Sequence, residues 1–289
     1  MSLSSEERLF VAGAGLMGGG IAQTAAQAGL PVSLFDSAAG AAERARERIL
    51  ERLGRAESAG KVESGIREAV GSRLKLASDL ADAATTTVVI EAVSEDLETK
   101  LGLFRELDQL CPAEVLFASN TSSIQITRLA AATSRPERFM GMHFYSPVPV
   151  MELVELIPGV RTGDVTYARL EQLGKVMGKT PVRSADSAGF IGNRILIPYL
   201  NEAILALQEG VASAVDIDRV AKLGFRHPMG PLELADFIGL DVLLGICRVM
   251  HRGLHDPRYA PNPVLQRLVE AGYLGRKTGR GFHEYKSDA

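Results

Sequence analysis

A glycine-rich stretch near the start of the chain, "FVAGAGLMGGG", constrains the fold more than any other feature of the sequence. The apolar run Leu9–Ala12 leads into it and predicts a short buried strand. Gly13, Gly15 and Gly18 then fit the spacing G-x-G-x-x-G. In such a loop the first glycine allows a tight turn, the second lets the backbone approach a pyrophosphate, and the third lets a helix pack on the strand. Residues 21–28 predict that helix, and its N-terminus would face an anion.

A second short strand at 32–35 ends in Asp36, which indicates what kind of dinucleotide the loop would hold. A carboxylate at that point accepts hydrogen bonds from the adenosine ribose of NAD and repels the 2′-phosphate of NADP. Ser37 follows it where an arginine could have accommodated that phosphate, so NAD is favoured over NADP. FAD enzymes use the same loop, and the loop by itself leaves the cofactor open. Leu16 and Met17 join the three glycines as predicted cofactor-binding residues.

The alternation of elements after the loop predicts an α/β fold with a Rossmann-type, doubly wound, mostly parallel sheet. Further strands are predicted at 85–93, 114–119, 138–145 and 151–157, and helices at 39–59, 97–110 and 165–177. Residues 190–280 show helical periodicity and no strand-like alternation. The sequence therefore predicts an NAD-binding domain at 1–185 and a smaller all-helical domain for substrate and dimerisation at 186–289.

The overall composition excludes several classes of partner. The 289 residues include 32 Lys and Arg against 35 Asp and Glu, a net charge of −3, which favours neither nucleic acid nor a membrane surface as partner. No apolar run reaches the roughly 18 residues of a membrane span. Residues 1–7 lack the features of a signal peptide and are interpreted as a polar tail. The only two cysteines, Cys111 and Cys247, are expected to be buried thiols in a reducing compartment, which indicates the cytoplasm.

Polar side chains that could do chemistry follow or lie within the predicted strands. They are Ser119–Ser123, His143, and the pair Glu152 and Glu155. Oxidation of an alcohol by NAD needs a base for the hydroxyl proton, and histidine is the usual candidate because its pKa lies near the operating pH. A carboxylate on its far ring nitrogen fixes the tautomer and stabilises the imidazolium.

Structural explanations compete with each of these assignments. His143 could be a hydrogen-bonded core histidine, and "NTSS" at 120–123 could cap the following helix. Periodicity does not separate Glu152 from Glu155, and Asn193 is compatible with a local backbone role. His251 and His255 are four residues apart but lack the carboxylate of H-E-x-x-H, so a metal site is rejected.

Several longer runs make the chain similar to a known family. These runs are "GAGLMGGGIAQ", "IEAVSEDLETK", "SNTSSIQIT", "GMHFYSPVPVMELVELI", "GFIGNRILIPYLNEA", "DIDRVAKLGFRHPMGPLELADFIGLD" and "GYLGRKTGRGF". In this order they resemble the short-chain L-3-hydroxyacyl-CoA dehydrogenases, most closely the bacterial 3-hydroxybutyryl-CoA dehydrogenases, over nearly all of residues 8–286. The resemblance implies NAD-dependent, reversible oxidation of an L-3-hydroxyacyl-CoA to the 3-ketoacyl-CoA.

The resemblance also implies roles for individual residues. His143 would be the general base, Glu155 its orienting partner, Ser122 a hydrogen-bond donor to the reacting oxygen, and Asn193 a helical-domain residue that positions the substrate. Cofactor-binding positions carried over from the family are Glu95, Lys100 and Asn120, and Lys61 matches a lysine near the CoA phosphates. The family likeness and the apolar run "FIGLDVLLGICRVM" predict a homodimer through the helical domain.

Departures from the family pattern bear on the substrate. Tyr145 and Ser146 stand where the family usually has Phe and Asn, and Ala188 replaces a proline. Two other functions remain open: a β-hydroxyacid dehydrogenase that acts on a free acid, and a non-catalytic NAD-binding relative. The first would need a catalytic lysine in its helical domain, where "GFIGNRIL" offers Asn193 and Arg194.

Overall fold

The computed structural model describes residues 7–285 and divides into two compact units between Ser187 and Ala188, close to the predicted boundary. Of the predicted polar tail at 1–7, only Glu7 lies within the described residues, and for it the prediction is wrong. Glu7 is buried and forms an ion pair with Arg169 at 2.6 Å. Among the helices of residues 7–285, none is both long and apolar enough to cross a membrane.

The first unit is built on one eight-stranded sheet with the order β3-β2-β1-β4-β5-β6-β7-β8. Its strands are β1 (Leu9–Ala12), β2 (Val32–Phe35), β3 (Leu74–Leu76), β4 (Val88–Glu91), β5 (Leu116–Ser119), β6 (Phe139–Phe144), β7 (Leu153–Pro158) and β8 (Thr180–Arg183). Its helices are α1 (Leu16–Gln27), α2 (Ala41–Ser58), α3 (Ile66–Arg73), α4 (Leu97–Leu110), α5 (Ile126–Ala130) and α6 (Asp164–Val176). The predicted Rossmann-type sheet is confirmed.

The second unit contains α7 (Gly192–Gln208), α8 (Ala214–Gly224), α9 (Pro231–Ile238), α10 (Leu240–Leu254) and α11 (Pro263–Glu270). Apolar side chains of α7, α9, α10 and α11 form its core, together with Tyr259. The segment after α11 departs from the all-helical prediction, because Arg280 makes isolated β-bridges to Gly275 and Glu284.

The first helix begins five residues earlier than the sequence predicts, so Gly18 lies inside it. Glycine lowers helix propensity, and the prediction therefore placed the helix after the glycines. Close packing explains their presence, because a Cβ on Gly18 would lie 1.8 Å from the Gly13 carbonyl oxygen. A Cβ on Gly20 would lie 3.0 Å from Val148. The glycines thus let α1 approach its neighbours.

The sheet is parallel except where β6 pairs with β7. That antiparallel pairing places His143 directly opposite Glu155 in the register. Directly opposed residues of an antiparallel pair project to the same face of the sheet. The exception to the parallel order therefore creates a side-chain pair that a wholly parallel sheet would not.

The two cysteines are buried free thiols, as predicted. Burial raises the pKa of the Cys111 thiol to about 11 and that of Cys247 to about 12. Neither thiol is therefore ionised near neutral pH, and both behave as small apolar side chains.

Candidate active site and cofactor cavity

The glycine loop borders a cavity of about 600 Å³ at the carboxyl ends of β1 and β4. Strand order reverses at this point, since β2 lies on one side of β1 and β4 on the other. Gly13 has φ of +105° and packs so closely that a Cβ would lie 2.5 Å from the Ala92 carbonyl oxygen. A Cβ on Gly15 would meet no described atom within 4 Å, so the loop leaves open space there. Leu16, 75% exposed, begins α1 beside that space, and the half-buried Met17 follows it.

Asp36 lies at the end of β2 and holds the glycine loop in place. Its Oδ2 accepts a hydrogen bond from the Ala14 backbone N–H at 2.7 Å, and its Oδ1 accepts one from Ala38 at 2.9 Å. The residue also lines the cavity and a neighbouring one of about 590 Å³. The second cavity is lined in addition by Glu43, Asp79 and Glu106, and none of its lining residues is basic. This acidic lining disfavours the 2′-phosphate that distinguishes NADP from NAD.

A buried ion pair lies beneath the ends of β4 and β5. Glu91 is fully buried, and its Oε1 lies 2.5 Å from Lys100 Nζ, which is also buried. Ser119 Oγ donates to the other carboxylate oxygen at 2.5 Å. Burial raises the pKa of Glu91, and the positive charge of Lys100 opposes that effect. The sequence alone indicates no role for Glu91, because one acid in an apolar strand carries no periodic signal.

Glu95 organises the loop that follows β5. Its Oε1 accepts hydrogen bonds from Thr121 Oγ1 at 2.7 Å, from the Ser122 N–H at 2.9 Å and from Ser123 Oγ at 2.8 Å. Its Oε2 lies 3.3 Å from Lys100 Nζ. Burial would raise the pKa of Glu95, but Lys100 and the hydrogen bonds outweigh burial and lower it. The predicted positions Glu95 and Lys100 therefore hold the Ser122 loop together.

The loop after β5 does not cap α5, and that alternative is wrong. The backbone N–H groups of Ile126 and Thr127 donate instead to the Asp186 carboxylate, each at 2.8 Å. Ser122 Oγ lies 3.2 Å from Glu95 Oε1. Asn120 Oδ1 accepts a hydrogen bond from the Phe144 N–H at 2.9 Å, which ties the end of β5 to the end of β6.

The central pair of the site joins β6 and β7. His143 Nδ1 lies 2.7 Å from Glu155 Oε2, and both side chains are buried. Glu152 precedes β7 and is exposed. The structure therefore brings Glu155, and not Glu152, to His143. Tyr145, which departs from the family pattern, donates its O–H to the same Glu155 Oε2 at 3.0 Å.

Comparisons with known proteins agree with this arrangement. The family model described as 3-hydroxyacyl-CoA dehydrogenase, NAD binding domain, matches residues 8–187, and the model of the C-terminal domain matches 189–285. The chain belongs to the 3-hydroxyacyl-CoA dehydrogenase family. The predicted resemblance is thereby confirmed.

Individual relatives match over almost their whole length. The 3-hydroxybutyryl-CoA dehydrogenase of Bradyrhizobium diazoefficiens is 49% identical over 280 residues, which cover 97% of this chain and 96% of the relative. The mitochondrial hydroxyacyl-coenzyme A dehydrogenase of Homo sapiens is 43% identical over a match that covers 96% of this chain and 90% of the relative. The crystal structure of (S)-3-hydroxybutyryl-CoA dehydrogenase from Ralstonia eutropha superposes with a TM-score of 0.93 at 44% identity, covering 98% of this chain and 100% of that one.

NAD is the cofactor of this 3-hydroxyacyl-CoA dehydrogenase, and the residues present fit it. Gly15 leaves open space at the N-terminus of α1, where free N–H groups and the helix dipole favour a pyrophosphate. Asp36 faces the same cavity and can accept hydrogen bonds from a ribose. The predicted cofactor is confirmed.

The two other predicted substrate residues are Asn193 and Lys61. Asn193 is buried in the first turn of α7, in the second unit, where its backbone N–H donates to the Gly189 carbonyl at 3.1 Å. Lys61 is exposed in the turn after α2, where its N–H donates to the Ala56 carbonyl. Their roles stay predictions.

Proposed function

We propose that this 3-hydroxyacyl-CoA dehydrogenase reversibly oxidises short-chain L-3-hydroxyacyl-CoA esters, such as 3-hydroxybutyryl-CoA, to the 3-ketoacyl-CoA. The relatives named 3-hydroxybutyryl-CoA dehydrogenase support the substrate class. The observation that carries the proposal is the buried pair of His143 and Glu155, with Nδ1 and Oε2 at 2.7 Å. NAD, when bound, accepts the hydride from the substrate carbon.

The pair prepares His143 to take a proton from the substrate hydroxyl. Because the Glu155 carboxylate only accepts hydrogen bonds when ionised, the proton of the neutral imidazole lies on Nδ1. Nε2 then carries the lone pair that receives the hydroxyl proton. The negative charge of Glu155 stabilises the imidazolium that results. In the reverse direction the same imidazolium returns the proton to the substrate oxygen.

Two neutral residues complete the proposed machinery. Ser122 lies in the loop fixed by Glu95, and its hydroxyl donates to Glu95 Oε1 at 3.2 Å. In the proposed mechanism this hydroxyl turns toward the substrate and donates to the reacting oxygen instead. Asn193 is proposed from the family motif to position the substrate beside the base. For Ser122, the many hydrogen bonds from its loop to Glu95 support a fixed location.

The substrate class is tested by initial rates with NADH and 3-ketoacyl-CoA esters, from acetoacetyl-CoA to 3-ketopalmitoyl-CoA. We expect the highest kcat/KM with acetoacetyl-CoA. A steady rise of kcat/KM with chain length would contradict the short-chain assignment. Equal turnover of free acetoacetate would favour the β-hydroxyacid dehydrogenase alternative, and absence of turnover with every ester would favour the non-catalytic one.

A further test concerns cofactor preference, where we expect higher kcat/KM with NADH than with NADPH. Both Asp36→Asn and Asp36→Ala should lower the ratio of kcat/KM with NADH to kcat/KM with NADPH. The expected reduction is about 10- to 100-fold, the range for one charge-assisted hydrogen bond. Asp36→Asn keeps a side-chain oxygen that accepts from the Ala14 N–H, whereas Asp36→Ala removes this acceptor. The alanine variant should therefore bind NADH more weakly. Preference for NADPH in the wild type would overturn the assignment.

We also propose a homodimer formed through the second unit. Much of "FIGLDVLLGICRVM" packs into the unit's own core, but Phe237, Val242 and Val249 are 40–49% exposed. Val242 and Val249 are seven residues apart and share one face of α10. Exposed apolar side chains grouped in this way favour association.

Light scattering should give about twice the chain mass of 30.9 kDa at micromolar concentration. Val242→Asp should lower the measured mass toward one chain, because it places a charge on the apolar face. The matched control is Val160→Asp, at a residue of the first unit that is 84% exposed. A wild-type mass equal to one chain would contradict the dimer.

The buried thiols bear on where in the cell the protein works. We propose the cytoplasm, because the buried free thiols of Cys111 and Cys247 suit a reducing compartment.

A further inference from the structure

Tyr145 donates to the carboxylate that the catalytic histidine uses. Its hydroxyl lies 3.0 Å from Glu155 Oε2, and His143 Nδ1 lies 2.7 Å from that same oxygen. The rings of Tyr145 and His143 also pack together, with centroids 4.9 Å apart. Two donors therefore converge on one carboxylate oxygen.

The hydroxyl of Tyr145 stays protonated at the pH values where the enzyme would work. Burial and then the charge of Glu155 raise the pKa of Tyr145 well above its ordinary value. The group is consequently a permanent donor to Glu155. A hydrogen bond to a carboxylate stabilises its negative charge and weakens its attraction for a neighbouring cation.

We propose that Tyr145 is a positioning residue that acts through Glu155 and makes the protonated His143 a better acid toward the substrate ketone. The proposal rests on the function proposed above, in which His143 is the base. With its charge shared between two donors, Glu155 stabilises the imidazolium less than it would alone. The protonated His143 therefore gives up its proton to the ketone more readily.

Other ionisable groups on the elements packed around the pair already have partners of their own. Glu95 pairs with Lys100, and Asp186 accepts two backbone N–H groups of α5. Arg183 of β8 stacks on the ring of Tyr167. Glu91 of β4 pairs with Lys100, and Arg128 of α5 is exposed. Helix α6, which packs on β6 and β7, carries Arg169, paired with Glu7, Lys175, paired with Glu171, and the exposed Asp164. The Tyr145 hydroxyl is the group whose removal changes the environment of Glu155 directly.

The test is the pH profile of kcat/KM for reduction of acetoacetyl-CoA by NADH in Tyr145→Phe. Reduction needs protonated His143, so the rate falls as pH rises and the histidine loses its proton. Without the tyrosine hydroxyl, Glu155 holds the protonated histidine more strongly, and we expect the midpoint of the rate profile to move up by roughly 0.5 to 1 pH unit. Tyr167→Phe, at a tyrosine of α6 in the same unit, is the matched control and should keep the wild-type midpoint.

A double variant distinguishes action through Glu155 from direct contact with substrate. Glu155→Gln combined with Tyr145→Phe should show the midpoint of Glu155→Gln alone, since the residues act as a unit. A wild-type midpoint in folded Tyr145→Phe would overturn the inference, as would a shift that persists on the Glu155→Gln background. Circular dichroism and the Kd for NADH establish that each variant is folded.

The outcomes also separate this inference from the proposed function. Wild-type turnover in folded His143→Gln would remove the base itself, whatever Tyr145 does. Loss of turnover in His143→Gln, together with an unchanged profile in Tyr145→Phe, would leave the proposed function standing and refute only the role of Tyr145.

Discussion

Replacement of His143 by glutamine should lower kcat by about 10²–10⁴-fold, the usual range for loss of a general base. Glutamine fills a similar volume but cannot accept the hydroxyl proton. The Kd for NADH should change little, because the cofactor cavity is formed by the glycine loop and Asp36. The measurement is kcat on protein whose fold has been checked by circular dichroism.

Glu155→Gln should also lower kcat, since the amide does not stabilise the imidazolium as a carboxylate does. When His143→Gln and Glu155→Gln are combined, their separate effects on kcat should not add, because His143 and Glu155 act as one unit. If His143 is only a core histidine, its replacement should lower stability while the folded enzyme keeps its turnover. That result would remove the proposed mechanism.

Lys100→Met should lower the free energy of unfolding by about 3–5 kcal/mol, because it leaves the Glu91 carboxylate buried without its partner. This loss in the free energy of unfolding should be smaller at low pH. Without Lys100 the folded-state pKa of Glu91 rises further above its unfolded value, so stability falls as pH rises through that range. Urea unfolding at two pH values measures both effects.

Two comparisons make the Lys100 result specific. Adding Glu91→Gln should recover part of the stability, because glutamine can still accept the hydrogen bond from Ser119 without a buried charge. Lys175→Met breaks an exposed pair with Glu171 and should cost less than about 1 kcal/mol. Equal urea midpoints for Lys100→Met and Lys175→Met would contradict the account of the buried pair.

Local patterns predicted the elements that carry strong signals. The glycine loop and Asp36 could be assigned because each has a fixed place in a strand–loop–helix–strand unit. Helix α4 was predicted with the bounds Leu97–Leu110 that the structure shows, because its apolar residues have amphipathic spacing. In the structure the Asp96 side chain caps its N-terminus. The strands β3 and β8 were missed, since most of their residues are exposed and neither forms an apolar run.

The geometry of the site depended on contacts between distant residues, which a single sequence does not display. Only the antiparallel pairing of β6 and β7 decides that Glu155 rather than Glu152 meets His143. The roles of Glu91 and Glu95 arise in the same way, from partners on other strands and loops. Tyr145 was noticed as a departure from the family pattern, but its hydrogen bond to Glu155 follows from the fold.

Oxidation of an L-3-hydroxyacyl-CoA ester by NAD can be measured on the purified protein. NAD is mixed with the enzyme and with L-3-hydroxybutyryl-CoA, D-3-hydroxybutyryl-CoA or free 3-hydroxybutyrate, and NADH formation is followed by absorbance. The account predicts rapid NADH formation with the L ester and little with the other two. Equal or faster NADH formation with the free acid or the D ester would contradict it.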